Sequence, residues 1–254
     1  MQFILALSGV LPAIALMAIV ARFDAKRPEP KKHLYLATLF GGLSTIPVII
    51  LQLGLEKLNP GGALGALYTA YGVAGLTEET AKAIVLYFVV WKSTAFDERL
   101  DGIVYATRAG LGFALVENVG YLLGAESPAG LFGMFVVRAV LAVPGHAIYA
   151  GFMGYWAARK KFDNVGPGLL GGLGIAILLH GTYDAALFLI GVFAKQGGAA
   201  VVLVLPLITV PLIVVVAGYQ RLKKHAAEAL RLDDITHAPR PMPRLPFGLG
   251  FVLR

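Results

Sequence analysis

Apolar runs of about 20 residues recur along nearly the whole chain of 254 residues, and a run of that length lets an α-helix cross the hydrocarbon core of a bilayer. Hydrophobic residues make up 57% of the sequence and charged residues only 15%. A soluble globular domain carries about 25% charged residues, so this chain has too little polar surface to cover a soluble core of its size. The pattern predicts an all-α, polytopic transmembrane helix bundle. It argues against a soluble enzyme, a disordered chain and a nucleic-acid partner.

Seven candidate spans can be counted from the apolar runs, and they cover residues 3–20, 34–55, 63–91, 100–123, 130–158, 168–192 and 199–219. Lysine and arginine concentrate in the loops after spans one, three and five and in the C-terminal tail, whereas the opposite loops hold only Lys57 and Lys195. Because loops rich in these residues stay in the cytoplasm, we expect the N-terminus outside and the C-terminus inside a multi-pass protein of the cell membrane.

The end of the chain differs from the rest in composition. Residues 221–254 are basic and become proline-rich near the end. We therefore expect a transmembrane domain over 1–220 and a cytoplasmic tail over 221–254. The tail is expected to begin as a short surface helix near anionic lipid and to end without regular structure, because proline interrupts helices.

Charged side chains interrupt spans three to six, although a charge at the bilayer centre costs about 2.5–3.5 kcal/mol. They are Glu78, Glu79, Lys82, Arg108, Glu117, Arg138 and Asp184. His146 and His180 lie in the same spans, whereas the middles of spans one, two and seven hold no ionisable side chain. Such groups are tolerated when they pair with one another or face a hydrated cavity, so the sequence predicts a polar core shared by spans three to six.

Helical spacing indicates which of these groups are neighbours. Glu78 and Lys82 are four residues apart, as are His180 and Asp184, so each pair shares a helix face. Glu79 and the two histidines each lie twelve residues from the cytoplasmic end of their spans, which places all three at a depth of roughly 18 Å. We therefore expect carboxylates and imidazoles from different helices to meet near the middle of the membrane.

Four short motifs follow one another on these four spans. They are Glu78-Glu79-Thr80-Ala81-Lys82 (E-E-x-x-K), Phe113 to Glu117-Asn118 (F-x-x-x-E-N), Pro144-Gly145-His146, and His180 to Asp184 (H-x-x-x-D). In this order the set resembles the PrsW family of intramembrane proteases, which is similar in turn to the CAAX prenyl endopeptidase and Abi group. The resemblance covers about residues 70–190, so we expect the catalytic core there.

The resemblance implies a membrane-embedded endopeptidase that cleaves a membrane-anchored protein, such as an anti-sigma factor. Carried over residue by residue, it implies a catalytic set that comprises Glu78, Glu79, Glu117, His146 and His180. Three further residues are expected to support this set, namely Lys82, Asn118 and Asp184.

Peptide hydrolysis requires an activated water molecule and stabilisation of a tetrahedral oxyanion. We expect the adjacent glutamates of span three to accept the proton from water, with Lys82 holding one of them ionised. If a metal ion is bound, its expected ligands are Glu117, His146 and His180, and zinc suits this donor set. The sequence lacks an H-E-x-x-H motif, so a zinc site and a metal-free glutamate mechanism both stay open.

Two other kinds of function fit parts of the pattern. Intramembrane acids and histidines also build the pathways of ion- or proton-coupled transporters, although no internal repeat is apparent here. A non-catalytic membrane scaffold is the other alternative. Arg108 and Arg138 are expected to be structural counter-ions of the glutamates, and Tyr149 is expected to serve in packing.

Overall fold

The computed structural model describes residues 7–237. Over this range the chain contains no strand and folds into seven helices, the number that the apolar runs predict. The helices are α1 Val10–Phe23, α2 Lys31–Leu58, α3 62–90, α4 Arg99–Leu123, α5 Pro128–Asp163, α6 Gly168–Gln196 and α7 Gly198–His237. Residues 3–6 of the first predicted span and the proline-rich end of the predicted tail lie outside the described residues.

Four of the helices, α2, α5, α6 and α7, are long and apolar enough to cross a membrane. Helix α1 is apolar but comprises only 14 residues, and the middles of α3 and α4 carry charged residues. Large apolar side chains cover the outside of the bundle, where Phe88, Leu170 and Leu205 are each at least 70% exposed. Extensive apolar surface of this kind is rare on soluble monomers and suits contact with lipid.

Helix α4 lies in the interior of the bundle, and glycines let its neighbours approach it closely. A Cβ on Gly154 of α5 would overlap the carbonyl oxygen of Gly102 in α4. On another side of α4, a Cβ on Gly112 would overlap the backbone of Thr38 in α2. Small residues at helix crossings are typical of membrane bundles. The hydrophobic effect does not drive helices together in lipid, so van der Waals contact between closely packed backbones stabilises their association.

Charged side chains join several helix ends at one end of the bundle. Arg99 at the start of α4 contacts Asp163 at the end of α5 at 2.6 Å and Asp233 of α7 at 3.0 Å. Arg27, between α1 and α2, contacts Asp234 of α7 at 3.0 Å. Helix α7 thus continues without a break across the predicted domain boundary after residue 220 and packs against the bundle. The boundary itself stays a prediction.

Helices α3 and α5 widen locally into π-helix over Tyr68–Gly75, Leu86–Val90 and Arg138–Ala142. The last of these segments ends two residues before Pro144, whose missing N–H cannot complete a helical hydrogen bond. Such wide turns often occur at functional sites. The segment that ends at Gly75 lies three residues before Glu78, and the segment that ends at Ala142 lies four residues before His146. Both of these side chains are predicted site residues.

We expect Gly154→Val to lower the free energy of unfolding by about 1–3 kcal/mol, because a larger side chain would force α4 and α5 apart. Equilibrium unfolding in mixed detergent micelles measures this loss. The matched control is Gly174→Val in α6, since a Cβ at Gly174 meets no atom within 4 Å. Equal losses in the two variants would contradict the assigned close packing.

Candidate active site

A cavity of about 740 Å³ opens among helices α2 to α6. The ionisable side chains that line it are Glu56, Glu78, Glu117, Arg138, His146, Tyr149, His180, Tyr183, Asp184 and Tyr121. Glu79, Lys82 and Asn118 line no part of it and are each 0% exposed. The structure therefore brings the residues that the sequence predicts for the site to one place, with five of them on the cavity wall and three buried beside it.

The ammonium group of Lys82 is the centre of the polar cluster. It donates hydrogen bonds to Glu79 Oε1 and to His146 Nδ1, each at 2.7 Å, and lies 4.0 Å from Glu78 Oε2. Glu79, three residues before Lys82, is thus the closer of its two carboxylate neighbours. Burying either charge alone would be strongly unfavourable, so this contact allows both to lie inside the bundle while Glu78 faces the cavity.

His180 of α6 lies between carboxylates from two helices. Its Nδ1 donates to Glu79 Oε1 at 2.8 Å, whereas its Nε2 lies 3.3 Å from Asp184 Oδ2 and 3.9 Å from Glu78 Oε2. The next residue, Gly181, allows the approach, because a Cβ there would overlap a tyrosine ring of α3. The ring is consequently fixed against α3 on one side and against its own helix on the other.

His146 of α5 is held from both of its ring nitrogens. Since Nδ1 accepts from the Lys82 ammonium, Nε2 carries the hydrogen and donates to Glu117 Oε2 at 2.9 Å. The same carboxylate oxygen accepts from Arg138 Nη2 at 2.7 Å, and Arg138 Nε donates to Asn118 Oδ1 at 2.6 Å. Arg138 is therefore a counter-ion of Glu117, as the sequence predicts.

The cavity residues that were not predicted for the site include Gln52 and Tyr149, and one predicted counter-ion lies elsewhere. Gln52 of α2 donates to Glu78 Oε1 at 3.2 Å; a lone amide in an apolar span is the signal that could have found it. Tyr149 packs as expected, with its ring stacked on His180 at 5.2 Å between centroids. In the part of the chain that the structure describes, Arg108 forms no ion pair with a glutamate, and its Nε is buried without a hydrogen-bond partner.

Three side chains of the cavity wall can supply a metal-binding site. Glu78, His146 and His180 each offer a ligand atom, and these atoms lie within 4.8 Å of one another. One carboxylate and two imidazoles are a donor set found in catalytic zinc sites. The carboxylate of this triad is Glu78, whereas the sequence predicts Glu117, whose Oε2 accepts hydrogen bonds from Arg138 and His146.

Charge balance in the cluster requires a further positive charge or proton. The cluster combines four carboxylates with only two permanent cations, Lys82 and Arg138. Uncompensated charge is strongly unfavourable in an apolar bundle, so protons on His180 and Glu78 or a bound cation have to supply the balance. Glu78 Oε2 and Glu79 Oε2 are also buried without a hydrogen-bond partner.

An apolar helix bundle that holds glutamates, histidines and a possible metal triad around an internal cavity has the groups that a membrane-embedded hydrolase requires. Comparison with known families agrees with this class. Residues 29–216 match the family described as PrsW family intramembrane metalloprotease. The chain belongs to this PrsW family and is a membrane protease, which confirms the resemblance stated from the four motifs.

Curated relatives support the same assignment. Protease PrsW of Clostridioides difficile is 34% identical over 194 residues, which are 74% of this chain and 81% of that protein. Protease PrsW of Bacillus subtilis is 35% identical over 187 residues, which are 72% of this chain and 82% of that protein. No solved structure matches the chain.

We expect Lys82→Met to lower the free energy of unfolding by about 3–5 kcal/mol, because it leaves the Glu79 carboxylate buried without its partner. Equilibrium unfolding in mixed detergent micelles measures the change. The double variant Lys82→Met/Glu79→Gln should recover part of the loss, since the unpaired charge is then gone. A double variant no more stable than Lys82→Met would contradict this explanation.

Proposed function

We propose that this membrane protease is a zinc-dependent endopeptidase of the cell membrane, which hydrolyses a peptide bond of a membrane-anchored protein. The observation that carries the proposal is the placement of a possible metal triad and a separate carboxylate, Glu117, on the wall of one cavity. A cavity of this size can admit an extended peptide segment, as ligand pockets of similar volume admit small molecules.

Glu78, His146 and His180 would hold the zinc ion. Each nitrogen of His146 now has a hydrogen-bonding partner, so binding through this side chain would exchange one of those contacts for the ion. When bound, zinc supplies Lewis acidity, which polarises a carbonyl group and acidifies a water molecule. Gln52, through its bond to Glu78 Oε1, leaves the other carboxylate oxygen available as a ligand.

Glu117 is the general base in this proposal. It lines the cavity, and Arg138 and His146 both donate to its Oε2. Its other carboxylate oxygen accepts no hydrogen bond from the described residues and is free to take a proton. Glu79 is 0% exposed, and its Oε1 accepts hydrogen bonds from Lys82 and His180, so we assign it to holding these two side chains in place. The sequence predicts Glu117 as a metal ligand and the glutamates of span three as the base. The proposal reverses these roles, because the ligand is now Glu78 of α3 and the base is Glu117 of α4.

Hydrolysis would then require two proton transfers at Glu117. As the oxygen of a water molecule attacks the scissile carbonyl carbon, Glu117 accepts one proton of that water. When the carbon–nitrogen bond breaks, the same carboxyl group donates the proton to the leaving nitrogen. Arg138 stabilises the carboxylate before the first transfer and after the second.

The position of the cavity along the helices supports cleavage on the extracytoplasmic side. Two residues of its lining, Glu56 near the end of α2 and Gly124 just after α4, lie opposite the charged end that contains Arg99 and Asp233. The basic loops favour a cytoplasmic location for the charged end. We therefore propose seven spans with the N-terminus outside, and substrates cut at an extracytoplasmic segment, among which anti-sigma factors are the candidates that the resemblance suggests.

Metal removal tests the cofactor. Purified protein in lipid nanodiscs should contain one zinc ion per chain, measured by elemental mass spectrometry, and should cleave single-span reporter proteins with varied extracytoplasmic segments. Treatment with 1,10-phenanthroline should abolish cleavage, and added zinc should restore it. Full activity in metal-free protein would overturn the zinc assignment in favour of a metal-free glutamate mechanism.

The two glutamate roles can be separated by substitution. Glu117→Gln should lower kcat by at least 10²-fold, the contribution expected of a general base, while the zinc content is unchanged. Glu78→Gln should instead lower the affinity for zinc, measured by competition with a chelating dye. Glu126→Gln is the matched control, because Glu126 is exposed outside the cavity. Loss of zinc in Glu117→Gln but not in Glu78→Gln would reverse the assignment.

A further inference from the structure

We propose that Tyr149 is a further catalytic residue, whose hydroxyl donates a hydrogen bond to the oxyanion that forms on the substrate during hydrolysis. This inference rests on the proposed protease mechanism and adds to it a group that neither the motifs nor the metal triad contain. Stabilisation of developing charge by a donor already in position is a large contribution to catalysis in many enzymes.

The tyrosine is fixed in the wall of the cavity beside both histidines of the triad. Its ring stacks on His180 with 5.2 Å between centroids and 23° between planes, and lies edge-on to His146 at 6.4 Å. The residue is 1% exposed, and its hydroxyl is buried without a hydrogen-bond partner in the described part of the chain. A buried hydroxyl in this state is unfavourable, whereas phenylalanine would fill the same space without that cost.

Gly145 makes room for the hydroxyl. A Cβ on Gly145 would lie 2.7 Å from the hydroxyl oxygen of Tyr149 and 3.0 Å from the ring carbon that bears it. Any larger residue at this position of the Pro144-Gly145-His146 motif would therefore displace the hydroxyl. The glycine and the tyrosine are four residues apart on one face of α5. The motif that contains His146 therefore also leaves the space that the Tyr149 hydroxyl occupies.

The other strong donors of the cluster each already make hydrogen bonds to side chains of the site. The Lys82 ammonium donates to a glutamate and to His146, and the Arg138 guanidinium donates to a glutamate and to Asn118. His146 Nε2 donates to Glu117. Tyr149 adds a donor next to the triad whose hydrogen is not used by another side chain, and a phenol is a donor suited to an anionic oxygen.

Tyr149 contributes to the step in which water attacks the scissile carbonyl group. The water oxygen forms a bond to the carbonyl carbon, the electron pair of the carbonyl π bond moves onto its oxygen, and Glu117 takes the proton that the water loses. Tyr149 keeps its own proton and hydrogen-bonds to that oxygen. When the pair returns to re-form the carbonyl, the carbon–nitrogen bond breaks and Glu117 protonates the nitrogen.

The test compares Tyr149→Phe with wild type on a single-span reporter that the wild-type protein cleaves in nanodiscs. We expect kcat to fall about 10²-fold, the loss measured when one oxyanion donor is removed, with KM and zinc content unchanged and thermal stability no lower, because the variant loses only an unpaired buried hydroxyl. Tyr155→Phe is the matched control, because Tyr155 is a buried tyrosine of the same helix that does not line the cavity; it should retain wild-type kcat. Substitution of a tyrosine that serves in packing alone would lower stability or change KM rather than lower kcat alone.

A second variant tests the position of the hydroxyl. Gly145→Ala should lower kcat like Tyr149→Phe, and the double variant should be no slower than either, since both remove the same hydrogen bond. Unchanged kcat in Tyr149→Phe, an equal loss in Tyr155→Phe, or loss of zinc along with activity would overturn the inference and leave the protease proposal in place. Absence of cleavage by the wild-type protein would overturn both.

Discussion

The ammonium of Lys82 holds the polar interior of this protein together. It bonds to Glu79 on its own helix and to His146 on α5, and Glu79 in turn bonds to His180 on α6. Three helices are therefore joined through one buried ion pair. Such a pair is costly to bury and far more costly to break, so the arrangement of the cavity wall depends on it.

The rest of the cluster follows from the need to satisfy charge inside an apolar bundle. Lys82 neutralises Glu79 within the protein. Glu78 faces the cavity instead, where Gln52 donates a hydrogen bond to one of its oxygens. Glu117 obtains its own counter-ion, Arg138, from α5. What remains on the cavity wall is Glu78 beside two imidazoles, a set of ligand atoms that could hold a metal ion.

The backbone is adapted to these side chains. Glycines let α4 contact α2 and α5, and α3 contact α6, at short backbone distances. The π-helical turns before the glutamate pair and before His146 change the direction in which the following residues point. A membrane protease has to admit water to a peptide bond inside lipid, and a cavity of about 740 Å³ among helices α2 to α6 provides space for both.

The apolar runs by themselves determined the class of fold, because a segment of about 20 apolar residues has few alternatives to a membrane helix. The four ordered motifs determined the family and named the residues that gather around the cavity. Only the tertiary structure decided which glutamate pairs with Lys82, that Gln52 and Tyr149 belong to the cavity, and that Arg108 does not pair with a glutamate. These contacts depend on how the helices rotate and approach one another. Residue spacing shows which side chains share a face of one helix, but it does not show which side chains of another helix lie opposite that face.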